Sequence, residues 1–178
     1  MSELGSIVDA LKQGKTIAYP TEGVWGLGCD PLNKEALEGL VSLKGRSLEK
    51  GLILIGSNIS HFDKFADTAT HKNKLLSKWP GPHTWLVPCK LEPSVLTGYK
   101  DKIALRLSNH KEIVSICNKF GGAIVSTSAN KTGEPVLSNF QEIRIMFPEV
   151  IILNGSLGGE SKASRIQDLI TDRKSTRL

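Results

Sequence analysis

The sequence predicts an α/β protein, a single domain in which helices flank a twisted, open, mixed sheet. Three observations predict it. Short apolar runs rich in β-branched residues, such as Leu52-Ile53-Leu54-Ile55 and Val150-Ile151-Ile152-Leu153, read as strands. Other segments carry apolar residues at helical spacing, such as Ile113, Val114, Ile116 and Cys117. Both kinds mix along the whole chain with no repeat and no linker, and 178 residues suit one domain over 1–178 with a real core.

In order, Leu4, Ile7, Val8 and Leu11 form a helical stripe that Gly14 suits as an end. Thr16 to Tyr19 is a strand, halted by Pro20. The stretch from Thr21 to Pro31 is punctuated by glycines and reads as irregular. Asn33 is placed to cap a helix running to about Leu43. A basic loop, Lys44 to Lys50, leads to the strand at 52–55. Ser60 to Trp79 reads as two short helices, and Pro80-Gly81-Pro82 breaks the chain. Thr84 to Val87 and Ile103 to Leu107 are strands. The break just before Trp85 favours local antiparallel pairing, hence a mixed sheet. A helix at 110–120 precedes the strand Ala123-Ile124-Val125. Phe140, Ile143 and Phe147 mark another helix, and 150–153 a last strand. Gly155 to Lys162 reads as flexible, 164–170 as a turn or short helix, and the tail from Thr171 as frayed.

Composition narrows the function classes. Hydrophobic residues at 39% with 23% charged describe a soluble globular protein. A net charge of +5 favours phosphate-bearing partners without identifying one. No apolar run approaches the ~18 residues of a membrane helix, and the N-terminus lacks a signal-peptide core. Cys29, Cys89 and Cys117 form no C-x-x-C pair, so free thiols in a reducing compartment, the cytoplasm, are expected. The histidines show no zinc-ligand spacing, so no metal site is expected on the protein.

Chemistry concentrates in a few stretches. Ser126-Thr127-Ser128-Ala129-Asn130 follows an apolar strand, where α/β proteins bind ligands, and Ser126, Ser128 and Asn130 alternate onto one face if extended. The same residues also suit a loop that caps the next element. Two nucleotide motifs are excluded. Gly14-Lys15-Thr16 lacks the first glycine of a P-loop, which would be position 9 and is Asp9, and it precedes a strand instead of opening a helix. Gly26-Leu27-Gly28 begins a dinucleotide fingerprint, but Pro31 holds the third glycine position. Lys44-Gly45-Arg46, with Lys50, offers cations that converge if the loop is extended, and Gly45 permits close backbone approach. A solvated charged loop is the other reading. Arg106 lies in an apolar strand and needs an anionic partner, either an acidic side chain or a ligand. Thr21 and Thr84 sit at strand boundaries as ligand contacts or turn-closing hydroxyls. Cys29 has no base near it in sequence and suits a small buried position.

In this order the motifs resemble the YrdC-like family, the threonylcarbamoyl-AMP synthases of the short, single-domain bacterial type. The matching stretches are Tyr19-Pro20-Thr21-Glu22-x-Val24-x-Gly26-Leu27-Gly28-Cys29-Asp30-Pro31, Leu43-Lys44-x-Arg46 with Lys50 to Ile55, Trp79-Pro80-Gly81-Pro82-x-Thr84, Ala104-x-Arg106, and Ser126 to Asn130 with Gly133. The resemblance implies a basic concave cleft on the sheet. It also implies the reaction of L-threonine, bicarbonate and ATP to threonylcarbamoyl-AMP and diphosphate, for threonylcarbamoyladenosine beside the tRNA anticodon. It assigns catalysis to Lys44, Arg46, Ser128 and Asn130, and ATP binding to these with Lys50 and Ser126. Threonine falls to Thr21, Arg106 and, by a looser match, Ser164. ATP is a substrate with Mg²⁺ carried on it, and the implied partners are RNA or tRNA at the cleft and downstream tRNA threonylcarbamoyl transfer proteins, with no membrane. Two departures stand out. Ser47 replaces a usual Pro, which is expected to loosen the loop, and Trp25 replaces a common Phe or Tyr. Two other readings use the same charges: a non-catalytic module for double-stranded RNA or tRNA, and a different ATP-dependent carbamoyl- or acyl-adenylate enzyme.

Overall fold

A computed structural model describes residues 2–160 and 164–175. The chain opens with α1 (Glu3–Lys12), capped by the Ser2 hydroxyl, which accepts from the Gly5 amide at 3.1 Å. Strand β1 (Ile17–Pro20) then turns back into β2 (Trp25–Gly28), pairing antiparallel with Ile17 opposite Gly28 and Pro20 opposite Trp25. The irregular stretch expected at 21–31 therefore contains a strand. Its glycines mask it, because glycine has no side chain to show alternation.

Helix α2 (Lys34–Leu43) starts at Asn33, whose side chain accepts from the Ala36 amide at 3.0 Å, as its sequence implies. A short 3₁₀ turn at Leu48–Lys50 leads into β3 (Ile53–Gly56). The two helices expected between Ser60 and Trp79 are a 3₁₀ turn at Ile59–Phe62 and the brief α3 (Lys72–Leu76). Then follow β4 (His83–Pro88), β5 (Lys102–Leu107), α4 (Lys111–Phe120), β6 (Ile124–Ser128), α5 (Phe140–Met146) and β7 (Ile151–Ile152).

Two expectations at the C-terminal end are corrected. Residues 165–168 form β8 (Arg165–Asp168), and Lys174–Ser175 form β9, so neither the turn-or-helix nor the frayed tail is present there. Isolated from its partners, Arg-Ile-Gln-Asp has little strand character, and it is recruited by parallel pairing to β4, with His83 opposite Arg165. Asp168 closes the β8–β9 turn by accepting from the Ile170 and Thr171 amides at 2.9 Å and pairing with Lys102. The segment expected to be flexible, Gly155 to Lys162, is tied to the hairpin turn by bonds from the Gly158 and Glu160 amides to the Thr21 and Glu22 carbonyls. Residues 161–162 of that expectation, and 176–178 of the tail, lie outside the described residues.

Among the described residues, nine strands form one mixed sheet in the order β7-β1-β2-β6-β3-β5-β4-β8-β9. Alternation along the strands feeds two cores. Ile17, Tyr19, Ile55 and Ile124 pack under α1 and α4, while Ala18, Leu27, Leu54 and Val125 face α2 and α5 on the other side. No described helix is long and apolar enough to cross a membrane.

Strand β6 joins the halves of the sheet. Its first part pairs with β3, with Ile124 opposite Ile55 and Ser126 opposite Ile53; its end pairs with β2, with Thr127 opposite Leu27 and Ser128 opposite Gly26. A Cβ at Gly28 would lie 2.2 Å from the Val125 carbonyl oxygen and 3.0 Å from the Tyr19 ring. The second glycine of Gly26-Leu27-Gly28 therefore serves close strand approach and not a dinucleotide. Gly28→Ala is expected to cost at least about 2 kcal/mol, since backbone must move to admit the methyl. Urea unfolding checks this; a variant as stable as the wild type would show that β2 and β6 are not held this tightly.

Candidate active site

Where β6 changes partners the sheet opens a cleft of about 260 Å³. Thr21, Arg46, Lys50, Arg106, Ser126, Ser128 and Ser164 line it, seven of the nine residues that the sequence nominates. Val24, Leu52 and Ile166 supply apolar wall, and Thr127 joins the hydroxyls. The strand expected to end at Val125 runs on to Ser128, so the serines are pinned by ladder pairing instead of standing on a free loop.

Lys44 and Asn130 lie outside that lining, for a reason the loop geometry supplies. Lys44 is the helical C-cap of α2, and Gly45 follows in the left-handed region at φ 58°. Residues 44 and 46 are thus not two steps along an extended chain. The Lys44 ammonium turns inward, only 2% of the residue being exposed, and donates to the Ser128 carbonyl, to the Asn130 carbonyl at 2.7 Å and to Asn130 Oδ1 at 3.4 Å. The Ser128 hydroxyl donates to Asn130 Oδ1 at 2.7 Å, and Asn130 Nδ2 donates to the Glu134 carbonyl at 2.7 Å. Lys44, Ser128 and Asn130 therefore form one polar knot behind the cleft wall. Burial, then the neighbouring Arg46 guanidinium, lowers Lys44 to about 8.

Arg46 instead reaches along the cleft, its Nη2 donating to the Gly51 carbonyl at 3.0 Å, and burial lowers its pKa. The φ of Ser47, −66°, is the value a proline imposes, and its hydroxyl caps the 3₁₀ turn by accepting from the Glu49 amide at 3.3 Å. Trp25 is buried in the main core.

Arg106 has both of the environments left open by sequence. It lines the cleft, and its Nη2 pairs with Glu22 Oε2 at 2.6 Å while Nε donates to the Gly81 carbonyl at 3.3 Å. Glu22 is not among the residues that the sequence nominates; the signals for it are its place in the matching Tyr19-Pro20-Thr21-Glu22 stretch and the demand of Arg106 for an anion, neither of which pairs the two. Thr21 donates to the Val24 carbonyl at 2.7 Å, closing the hairpin turn while edging the cleft. Buried Thr84 shares a hydrogen bond of 2.8 Å with Ser164. Burial, then Asp30, pushes the Cys29 thiol up to about 12, which keeps it an inert core group. Among the described residues no three His, Cys, Asp or Glu side chains gather as metal ligands. The lining offers cations and hydroxyls, a donor set that suits phosphate and carboxylate groups.

Comparison with known proteins agrees with this geometry. The Sua5/YciO/YrdC family model, described as "Telomere recombination", matches residues 9–177. The threonylcarbamoyl-AMP synthase of Photobacterium profundum is 44% identical over 179 residues, covering 97% of each chain. That of Yersinia pestis strain Pestoides F is 41% identical over 177 residues, 96% of this chain and 93% of its own. The structure of P. abyssi Sua5 complexed with L-threonine superposes with a TM-score of 0.87 at 26% identity over 98% of this chain. This chain spans 53% of that protein, about half its length.

The depressed Lys44 pKa has a stability consequence of definite sign. Between about 8 and the ordinary 10.5 the unfolded chain binds more protons at this position than the folded one, so stability rises with pH across that window. Wild type is expected to gain on Lys44→Met there by up to about 1.4 kcal/mol per pH unit. Urea melts of both proteins at pH 7.5 and pH 10 check this, and parallel profiles would show that Lys44 titrates normally.

Proposed function

The chain belongs to the Sua5/YciO/YrdC family, and on that premise we propose that it is a threonylcarbamoyl-AMP synthase, converting L-threonine, bicarbonate and ATP into threonylcarbamoyl-AMP and diphosphate. The observation that carries this reading is one cleft lined by three cations and a row of hydroxyls. Residues 1–178 act as one YrdC-like domain in this proposal, and the cleft is its basic concave surface.

The chemistry asks for positioning more than for a protein nucleophile. The threonine amine adds to the bicarbonate carbon with loss of water, and an oxygen of the resulting carbamate attacks the α-phosphorus. The bond to the bridging oxygen breaks, and diphosphate leaves. An anion thus approaches a polyanion, and neutralising that repulsion while fixing the two in line is the main task. Arg46 and Lys50 meet the triphosphate. Ser126 and Ser128 orient phosphate oxygens, and Lys44 with Asn130 holds Ser128 from behind, so these two act as positioning residues. Thr21, Ser164 and Arg106 take the amino acid; the part of the Arg106 guanidinium not engaged by Glu22 and Gly81 receives its carboxylate. Mg²⁺ enters with ATP as part of the substrate, since the lining donors suit phosphate and not a resident dication.

The product is an activated carbamoyl group for the adenosine beside the tRNA anticodon, passed in the cytoplasm to downstream tRNA threonylcarbamoyl transfer proteins. RNA contact at the same cations belongs to the proposal only as a secondary role. A purely RNA-reading surface needs many exposed cations, and of the three in the cleft only Lys50 is exposed, Arg46 being half-buried and Arg106 8% exposed.

Diphosphate release from Mg-ATP by the purified protein is expected to require both L-threonine and bicarbonate. Arg46→Ala is expected to lower kcat/KM for ATP by about 100-fold with little change in Tm. Release indifferent to threonine would sink the reading, as would an Arg46→Ala protein of normal activity.

A further inference from the structure

Glu22 stands at a crossing of the fold that neither the cleft lining nor the proposed chemistry uses directly. Its Oε2 is 2.6 Å from Arg106 Nη2, and its Oε1 accepts the Ser108 hydroxyl at 2.6 Å. That hydroxyl in turn accepts from the His110 amide at 3.1 Å, which leaves its own proton free for Glu22. On the backbone side, the Glu22 carbonyl accepts from the Glu160 amide at 2.8 Å and the Thr21 carbonyl from the Gly158 amide at 3.0 Å. A Cβ at Gly158 would lie 2.8 Å from Glu22 Cα, so Gly158 lies close against this residue.

From this we infer that Glu22 is the positioning residue for the amino-acid end of the cleft. It holds the Arg106 guanidinium in the plane that receives the substrate carboxylate, and its backbone seats residues 158–160. The inference rests on the synthase reading for the identity of the substrate. The physical case is that Arg106 is 8% exposed, on the face of β5 opposite to buried Leu105 and Leu107. A guanidinium so placed is held by its close oxygens: the Gly81 carbonyl accepts a hydrogen bond from Nε, and Glu22 supplies the one charged contact, an ion pair at Nη2. A carboxylate fork is geometrically demanding, and a misplacement of about 1 Å costs up to about 100-fold. Charge alone argues the opposite way: Glu22 offsets part of the attraction of Arg106, so neutralising it without moving Arg106 would tighten binding of a carboxylate. The two accounts differ in sign.

The test compares Glu22→Gln, which keeps shape but removes the charge, with Ser108→Ala, which removes the support and keeps the ion pair. Glu22→Gln is expected to raise the KM for threonine at least about tenfold while the KM for ATP stays within about twofold. Ser108→Ala is expected to move the same constant in the same direction by about threefold. An unchanged or lowered threonine KM in folded Glu22→Gln overturns the positioning role, and so does a parallel rise in both constants, which a merely structural residue would give. If Glu22→Gln does not fold, Ser108→Ala decides, and a wild-type threonine KM there overturns the inference. Calorimetric threonine titration of the wild type without ATP separates the two levels. Threonine binding that is lost in the variants, with no diphosphate release by the wild type, sinks the synthase reading and keeps Glu22; absence of binding sinks both.

Discussion

The approach of β2 to β6 is the contact on which the rest of the site depends. Because Gly28 carries no side chain, the Val125 carbonyl comes close enough to accept the Tyr19 hydroxyl at 3.0 Å, and the β1–β2 hairpin lies across the end of β6. With β2 seated there, β6 is bonded to the β2 chain from Val125, whose amide donates to the Cys29 carbonyl, on to Ser128, while its pairing with β3 ends at Ser126. The serines then stand at a parting of strands, where a cleft forms without any loop having to be held open. The same hairpin delivers Thr21 to the cleft from its turn and sets Glu22 against Arg106.

Charge in this site is arranged in two layers. Arg46, Lys50 and Arg106 edge the cleft, whereas Lys44 is sunk behind it among backbone carbonyls. A buried ammonium surrounded by oxygen acceptors is a rigid strut, because swinging it out would strand those carbonyls while burial already opposes its charge. The side chain that lines the cleft, Arg46, and the one that braces its wall, Lys44, are thus drawn from one short sequence motif. Their separation follows from a single left-handed glycine at 45.

Residues 153–160 follow β7, at one edge of the sheet, and β8 lies near the other edge. They are hydrogen-bonded to the hairpin turn, and Ser164 meets buried Thr84 at the start of β8. The sheet edges therefore cooperate in one site although they are far apart in strand order. Parallel pairing of β8 on β4 supplies the anchor.

By itself the sequence determined the fold class and most of the strands and helices, and it nominated nine residues of which seven line one cleft. Apolar periodicity, the Asn33 cap and the ordered motifs are local signals, legible wherever residues near in sequence do the work. It also determined that Arg106 must have an anionic partner, since an apolar strand does not tolerate a bare charge. Tertiary structure alone decided that Glu22 is that partner, that Lys44 faces away from the cleft, and that β2, β8 and β9 are strands. Each of these depends on groups distant in the chain. A glycine-rich segment or a polar tetrapeptide becomes a strand only when a neighbouring ladder offers it hydrogen bonds, and a lysine turns inward only when the carbonyls that satisfy it arrive from elsewhere.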